Sequence, residues 1–291
     1  MSWSKKSLSE AIRLFALFLL FLFCGISLPA LSGLLVFPFS LFPPEWDLIY
    51  RLALSTIFIL SAIVSLKVER LKKYWKIFFA FFVASFAINV QALSAYVNIP
   101  TTPINGLVLS MFLSTVLVVI PIIVLTLVSG DRLSTTFLQK GDLKQGIIIG
   151  IIAFSILAIV SIPIATYMFN GKNLSIERVL PWMPGIFIIV ISNGIREELL
   201  YRGLFLKKYG SVFGPNVSNI LQALIFSLSH TVAGRGAIAY TSFTIAFVVI
   251  TFLLGLGLGY LMRRTDSLLG PVLFHAGTDI PIFLGILSNL S

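Results

Sequence analysis

Apolar runs of about twenty residues recur from one end of this 291-residue chain to the other, and no other feature restricts its fold so tightly. A run of that length matches the hydrocarbon core of a bilayer when it is helical. Backbone groups in hydrocarbon must find their hydrogen bonds inside their own segment. The expected fold class is therefore all-α, a polytopic transmembrane helix bundle of about 8–9 spans. The runs lie near 14–39, 48–66, 77–96, 106–127, 146–169, 182–209, 216–233, 238–262 and 268–290. Lys5, Lys6 and Arg13 ahead of the first run read as the start of a signal-anchor span rather than a cleaved peptide, because so many spans follow. Pro29 is a candidate break between two half-helices in that run.

The net charge of +10 raises the question of nucleic acid, and the placement of the charges answers it. Fifteen Lys and Arg residues fall in alternate inter-span segments, and only Arg51, Lys172, Arg178 and Arg235 fall in the others. That bias is the positive-inside pattern. It predicts an inside N-terminus, the bilayer and its anionic headgroups as partner, no nucleic acid, and residence in the cell (plasma) membrane. Nine spans would put the C-terminus outside. The lone cysteine, Cys24, lies within an apolar run, so neither a disulfide framework nor a CxxC motif is available.

The first five spans carry little chemistry, which divides the chain into N-terminal transmembrane helices over 1–181 and a chemically equipped core over 182–291. Asn89 and Gln91 read as interhelical hydrogen-bond partners. Gly255 and Gly259 form a GxxxG pair for close helix packing, and no strand precedes them to make a nucleotide loop. Within the core, Asn193-Gly194-Ile195-Arg196-Glu197-Glu198-Leu199-Leu200-Tyr201-Arg202 puts two carboxylates and two guanidiniums at the end of a strongly apolar run. Charges cost about 2.5–3.5 kcal/mol at the centre of a membrane helix, so they pair or line a polar cavity. Glu198 and Arg202 have the spacing of a same-face ion pair. Glu197 is turned about 100° away, on the face of Asn193 and Tyr201, with no cation one turn on.

The chain has only two histidines, His230 and His275, both inside apolar runs. With a turn near Gly210–Pro215, Glu197 lies about 20 Å before it and His230 about 22 Å after it, so an antiparallel hairpin sets them side by side. His275 lies about 14 Å beyond Asp266, at a similar depth from the same side. Pro271 suits the first turn of the last helix, Asp279 follows His275 by one turn, and Pro281 predicts a kink. A carboxylate with histidine in a water-accessible pocket can activate water against an amide, and a second histidine can hold the oxyanion. Zinc is the competing use: His230, His275 and a carboxylate would make a three-ligand site. The zincin HExxH is absent, and no Ser-His-Asp arrangement is evident from spacing.

Glu197-Glu198-x-x-x-Arg202, Phe226-x-x-x-His230 and His275-x-x-x-Asp279 resemble the three motifs of the CPBP (CAAX protease and bacteriocin-processing, or Abi) family, which includes the type II CAAX prenyl endopeptidases. The resemblance covers roughly residues 182–284. It implies an intramembrane peptidase of eight or so helices with a cavity open to the cytosol, and a peptide or protein substrate, prenylated in the CAAX case. By position, Glu197 and His230 would activate the water, His275 and Asp279 would form the oxyanion site, and Glu198 and Arg202 would support them. The family carries Asn or Asp at position 279. An ionised Asp cannot donate to an oxyanion, so Asp279 must be protonated, orient His275 or bind metal. Family members are described both as metalloproteases and as glutamate-dependent enzymes, so no cofactor is assigned and zinc stays open. Two other readings use the same residues. One is a non-catalytic bacteriocin-immunity or scaffold membrane protein; the other is a proton-coupled transporter, against which the confinement of ionisable groups to one half of the chain counts.

Overall fold

A computed structural model describes residues 5–31, 46–97, 102–237 and 241–290, and all regular structure among them is helical. The elements are α1 (Lys5–Leu31), α2 (Asp47–Lys67), α3 (Trp75–Ala92), α4 (Pro103–Val128), α5 (Leu143–Ile159), α6 (Ser161–Met168), α7 (Ile176–Val179), α8 (Met183–Glu197), α9 (Leu206–Ala237), α10 (Thr241–Thr265) and α11 (Leu269–Leu290). Seven described helical stretches are long and apolar enough to cross a bilayer, and the bent pair α5–α6 makes an eighth. The chain is an integral, multi-pass membrane protein. Many of its large apolar side chains, such as Ile148, Ile159 and Val128, are exposed, while Glu198, Arg202, His275 and Asp279 are buried. Hydrocarbon outside and polarity inside is the arrangement a lipid solvent selects.

Three of the nine expected runs depart from single straight spans. The 146–169 run bends by 60° between α5 and α6. Pro163 lies in the first turn of α6 and cannot donate to the carbonyl of Ile159, which its ring also crowds. The 182–209 run leaves α-geometry at Glu198–Gly203, a π-helical turn, and ends before α9 begins at Leu206. The 216–233 run is not among the stretches apolar enough to span; it carries Asn216, Asn219, Gln222, Ser229 and His230. The first run stays helical through Pro29 to Leu31, and its remainder lies outside the described residues. The expected hairpin turn is present: α9 breaks at Gly214, whose φ of 76° is open to glycine and strained for other residues. Pro215 then starts the returning helix, where its missing N–H costs nothing.

Contacts group the connecting segments at two ends of the bundle. At one end Lys76 pairs with Asp131 at 2.5 Å, and Lys207 bridges Asp266 at 2.6 Å and the Ser134 carbonyl at 2.9 Å. The Asp142 amide donates to Thr265 and the Leu268 amide to Phe137. The segments around 67–76, 129–142, 203–214 and 263–268 therefore share one face of the bundle. At the other end the Lys172 amide donates to Ser288, and Asn289 donates to the Asn170 carbonyl.

Two apolar cores flank the ionisable residues. Rings of Phe21, Tyr74, Phe81, Phe205 and Tyr209 tie α1 and α3 to the first turns of α9. Ile186, Ile189, Val190, Ala276, Ile280 and Leu284 seal α8 against α11. The GxxxG pair packs as expected: a Cβ at Gly255 would meet Ala223 Cα at 3.1 Å, and one at Gly259 would collide with Asn219 Oδ1 at 2.0 Å. Asn89 donates to Ser55 Oγ at 2.9 Å and to the Arg51 carbonyl at 3.2 Å, an interhelical role.

Candidate active site

α8 delivers Glu197 at its last residue, and the π-turn that follows delivers Glu198 and Arg202. In that turn the Leu204 amide reaches back five residues to the Leu199 carbonyl at 3.0 Å. Single π-turns inside helices concentrate at functional sites. Here the widened turn holds Glu198 and Arg202 inward, both 0% exposed, in an ion pair. The Arg202 guanidinium also stacks over the Phe226 ring, 4.2 Å from its centroid, a cation–π contact of the kind that gains strength away from water. The spacing that foretold the pair is thus realised, and its burial is complete.

All three motifs meet. His275 Nδ1 lies 2.6 Å from Glu198 Oε1, and since a carboxylate only accepts, the ring N–H is the donor. His230 Nδ1 lies 2.8 Å from the Phe226 carbonyl and donates for the same reason. Both imidazoles therefore present Nε2 to the centre of the site, where Glu197 Oε2 stands 3.4 Å from that of His230 and 3.7 Å from that of His275. Glu197 Oε2 is buried and has no hydrogen-bond partner among the described residues. Phe226 packs against both rings, tilted by 49° to His230 at 4.3 Å and edge-on to His275 at 5.7 Å. Asp279 Oδ1 is 3.6 Å from His275 Nε2, and its Oδ2 accepts from Asn193 Nδ2 at 2.8 Å.

The structure adds two residues to the expected set. Glu197 does have a cationic neighbour: Arg196, the adjacent residue, folds back so that Nη2 lies 3.3 Å from Glu197 Oε1 and donates to Asn193 Oδ1. Helical spacing compares residues one turn apart, so a long side chain that curls onto its own turn escapes it. Asn193 was visible as a polar residue in an apolar run on the face of Glu197. Its partner on α11, Asp279, is set by packing. Glu198 also gains a role that spacing alone does not show, since it bridges Arg202 to His275.

Zinc can be tested on the donor geometry. Among the described residues no group of three His, Cys, Asp or Glu side chains is arranged to hold a metal ion. One oxygen of Glu198, Oε1, is taken up by Arg202 and His275, and one oxygen of Asp279 by Asn193.

The fold and site together define a helical membrane protein with a buried, converging Glu–His–His–Asp cluster. Residues 179–281 match the family described as Rce1-like, type II CAAX prenyl endopeptidase Rce1-like, a family of peptidases. That match takes in all three motifs, and with it the resemblance to CPBP-family intramembrane proteases stands. No curated protein and no solved structure matches the chain.

Proposed function

We propose that the protein is an intramembrane endopeptidase that hydrolyses a peptide bond with water activated by Glu197 and His230, in CAAX-type processing of a membrane-delivered, prenylated substrate. The observation that carries this reading is Glu197 Oε2, unpartnered among the described residues, facing the Nε2 atoms of both histidines. A water between Glu197 and His230 gives a proton to the carboxylate as its oxygen attacks the scissile carbonyl carbon. The carbonyl π-pair moves onto oxygen. When the tetrahedral intermediate collapses, the C–N bond breaks and the proton passes from Glu197 to the leaving amine. His275, whose Nδ1–H is committed to Glu198, serves the oxyanion from Nε2 as an imidazolium. Asp279 accepts from Asn193 and faces His275, which favours orientation of His275 among the roles open to it. Glu198 and Arg202 support His275 from behind. By the positive-inside bias, the site opens to the cytosolic side of the plasma membrane. Residues 182–291 form the catalytic core and 1–181 the helices that brace it.

The test is cleavage by purified protein of a farnesylated peptide beside the same peptide unmodified. Preferential, Glu197-dependent cleavage of the farnesylated form is the expected result. Equal cleavage of both would remove the prenyl part of the proposal. Absence of any Glu197-dependent cleavage would favour the immunity or scaffold reading.

A further inference from the structure

Arg196 belongs to none of the three motifs, yet it touches the group on which the reaction turns. Its Nη2 lies 3.3 Å from Glu197 Oε1 and donates to Asn193 Oδ1, while Asn193 Nδ2 donates to Asp279 Oδ2 at 2.8 Å. The side chains of Arg196 and Glu197 are each 15% exposed, so the contact is largely withdrawn from solvent. We propose that Arg196 is a positioning residue that, through Asn193, locks the carboxylates of Glu197 on α8 and Asp279 on α11 into one arrangement. This rests on the peptidase reading for its consequence in catalysis, and on geometry alone for the lock itself.

Each of these groups has two ends, and each end faces its own neighbour. Glu197 has one oxygen held by Arg196 and the other turned to the histidines, so the guanidinium chooses which oxygen is free and fixes the carboxylate's rotation. Asn193 has two chemically different ends. With Oδ1 accepting from Arg196, only Nδ2 is left for Asp279, and the amide cannot flip without losing both bonds. Asp279 in turn has Oδ2 occupied and Oδ1 directed at His275 Nε2, 3.6 Å away. One cation therefore sets the attitude of the carboxylate beside His230 and of the carboxylate beside His275. Both Arg196 contacts run from a single nitrogen, so a lysine ammonium, a compact point donor with three hydrogens, can replace it where a neutral chain cannot.

The test uses the full-length protein in detergent or nanodiscs, and infrared difference spectra read the carboxylates directly. The bands belonging to Glu197 and Asp279 are those lost in Glu197→Gln and in Asp279→Asn. Arg196→Met is expected to move both bands, and Arg196→Lys to restore them. Asn193→Leu is expected to move the Asp279 band, and it carries the test if Arg196→Met does not fold. In peptide cleavage, kcat should fall about tenfold to a hundredfold in Arg196→Met, the scale of a misplaced reacting group, with KM within about twofold. A merely structural arginine would lower thermal stability and leave the bands of the folded fraction in place. Unmoved bands in Arg196→Met, or an Asp279 band unmoved in Asn193→Leu, refute the lock whether or not any peptide is cut. Bands that move in a protein whose wild type shows no Glu197-dependent cleavage leave the lock standing and remove the peptidase reading.

Discussion

Glu198→Gln puts the buried ion pair under direct test. Glu198 and Arg202 are both fully buried, and Arg202 Nε and Nη2 already lack hydrogen-bond partners among the described residues. Neutralising the carboxylate leaves a guanidinium in an apolar surround with only the Phe226 ring and an amide oxygen to face. Removing one member of a buried pair costs about 3–5 kcal/mol, against a total stability of roughly 5–15 kcal/mol for a typical domain. At about 2–4 °C per kcal/mol for a chain of this size, the unfolding midpoint in detergent should drop by roughly 6–20 °C. The double variant Glu198→Gln/Arg202→Met removes both charges and keeps similar volumes, so it should recover much of the loss, since apolar replacements of buried pairs are often neutral or stabilising. It should not recover activity, because His275 Nδ1 still lacks its carboxylate at 2.6 Å. Thermal unfolding followed by tryptophan fluorescence measures all three proteins. A single variant as stable as wild type, or a double variant less stable than the single, would refute the reasoning that the pair is held together by mutual neutralisation in a dry site.

Glu197→Gln should abolish peptide cleavage, by at least about a hundredfold as expected of a lost general base, while its melting curve stays near wild type because the amide oxygen can still face Arg196. Full activity in that variant together with a dead but stable Glu198→Gln would reverse the roles of the two acids. Activity should survive exhaustive chelation, and elemental analysis of active protein should find no stoichiometric zinc. Zinc that vanishes in His230→Ala and restores activity to stripped wild type would overturn the metal-free mechanism. Tags after Lys73 and Arg264 should be accessible from the same side, as their loops share one end of the bundle, and a tag after Lys172 from the other; tags at 73 and 172 on one side would break the topology.

The sequence alone determined the solvent and the fold class, and it named the residues of the candidate site. Runs of apolar residues as long as a bilayer is thick admit one kind of backbone, because an unsatisfied amide in hydrocarbon is so costly. In such a chain a carboxylate or a histidine has few tolerable positions, so Glu197, Glu198, Arg202, His230, His275 and Asp279 announce themselves by chemical cost before any contact is known. Counting residues from a turn near Gly210–Pro215 even brought Glu197 and His230 to one depth, because rise per residue is constant along a helix.

Tertiary structure decided what each group faces. The Glu198–Arg202 pair was legible because its partners are one turn apart on a single helix, whereas Glu198 to His275 and Asn193 to Asp279 join helices separated by about eighty residues. No periodicity carries such a contact; it depends on how α8 and α11 pack through Ile186, Ile189, Ala276 and Ile280. The π-turn at Glu198–Gly203 was likewise invisible, since a one-residue widening leaves the apolar pattern almost unchanged while re-aiming every side chain after it. Arg196 stayed hidden for the opposite reason. It acts within its own turn, through the reach of a flexible side chain, and only its packed surroundings decide whether that side chain turns to lipid, to water or to Glu197.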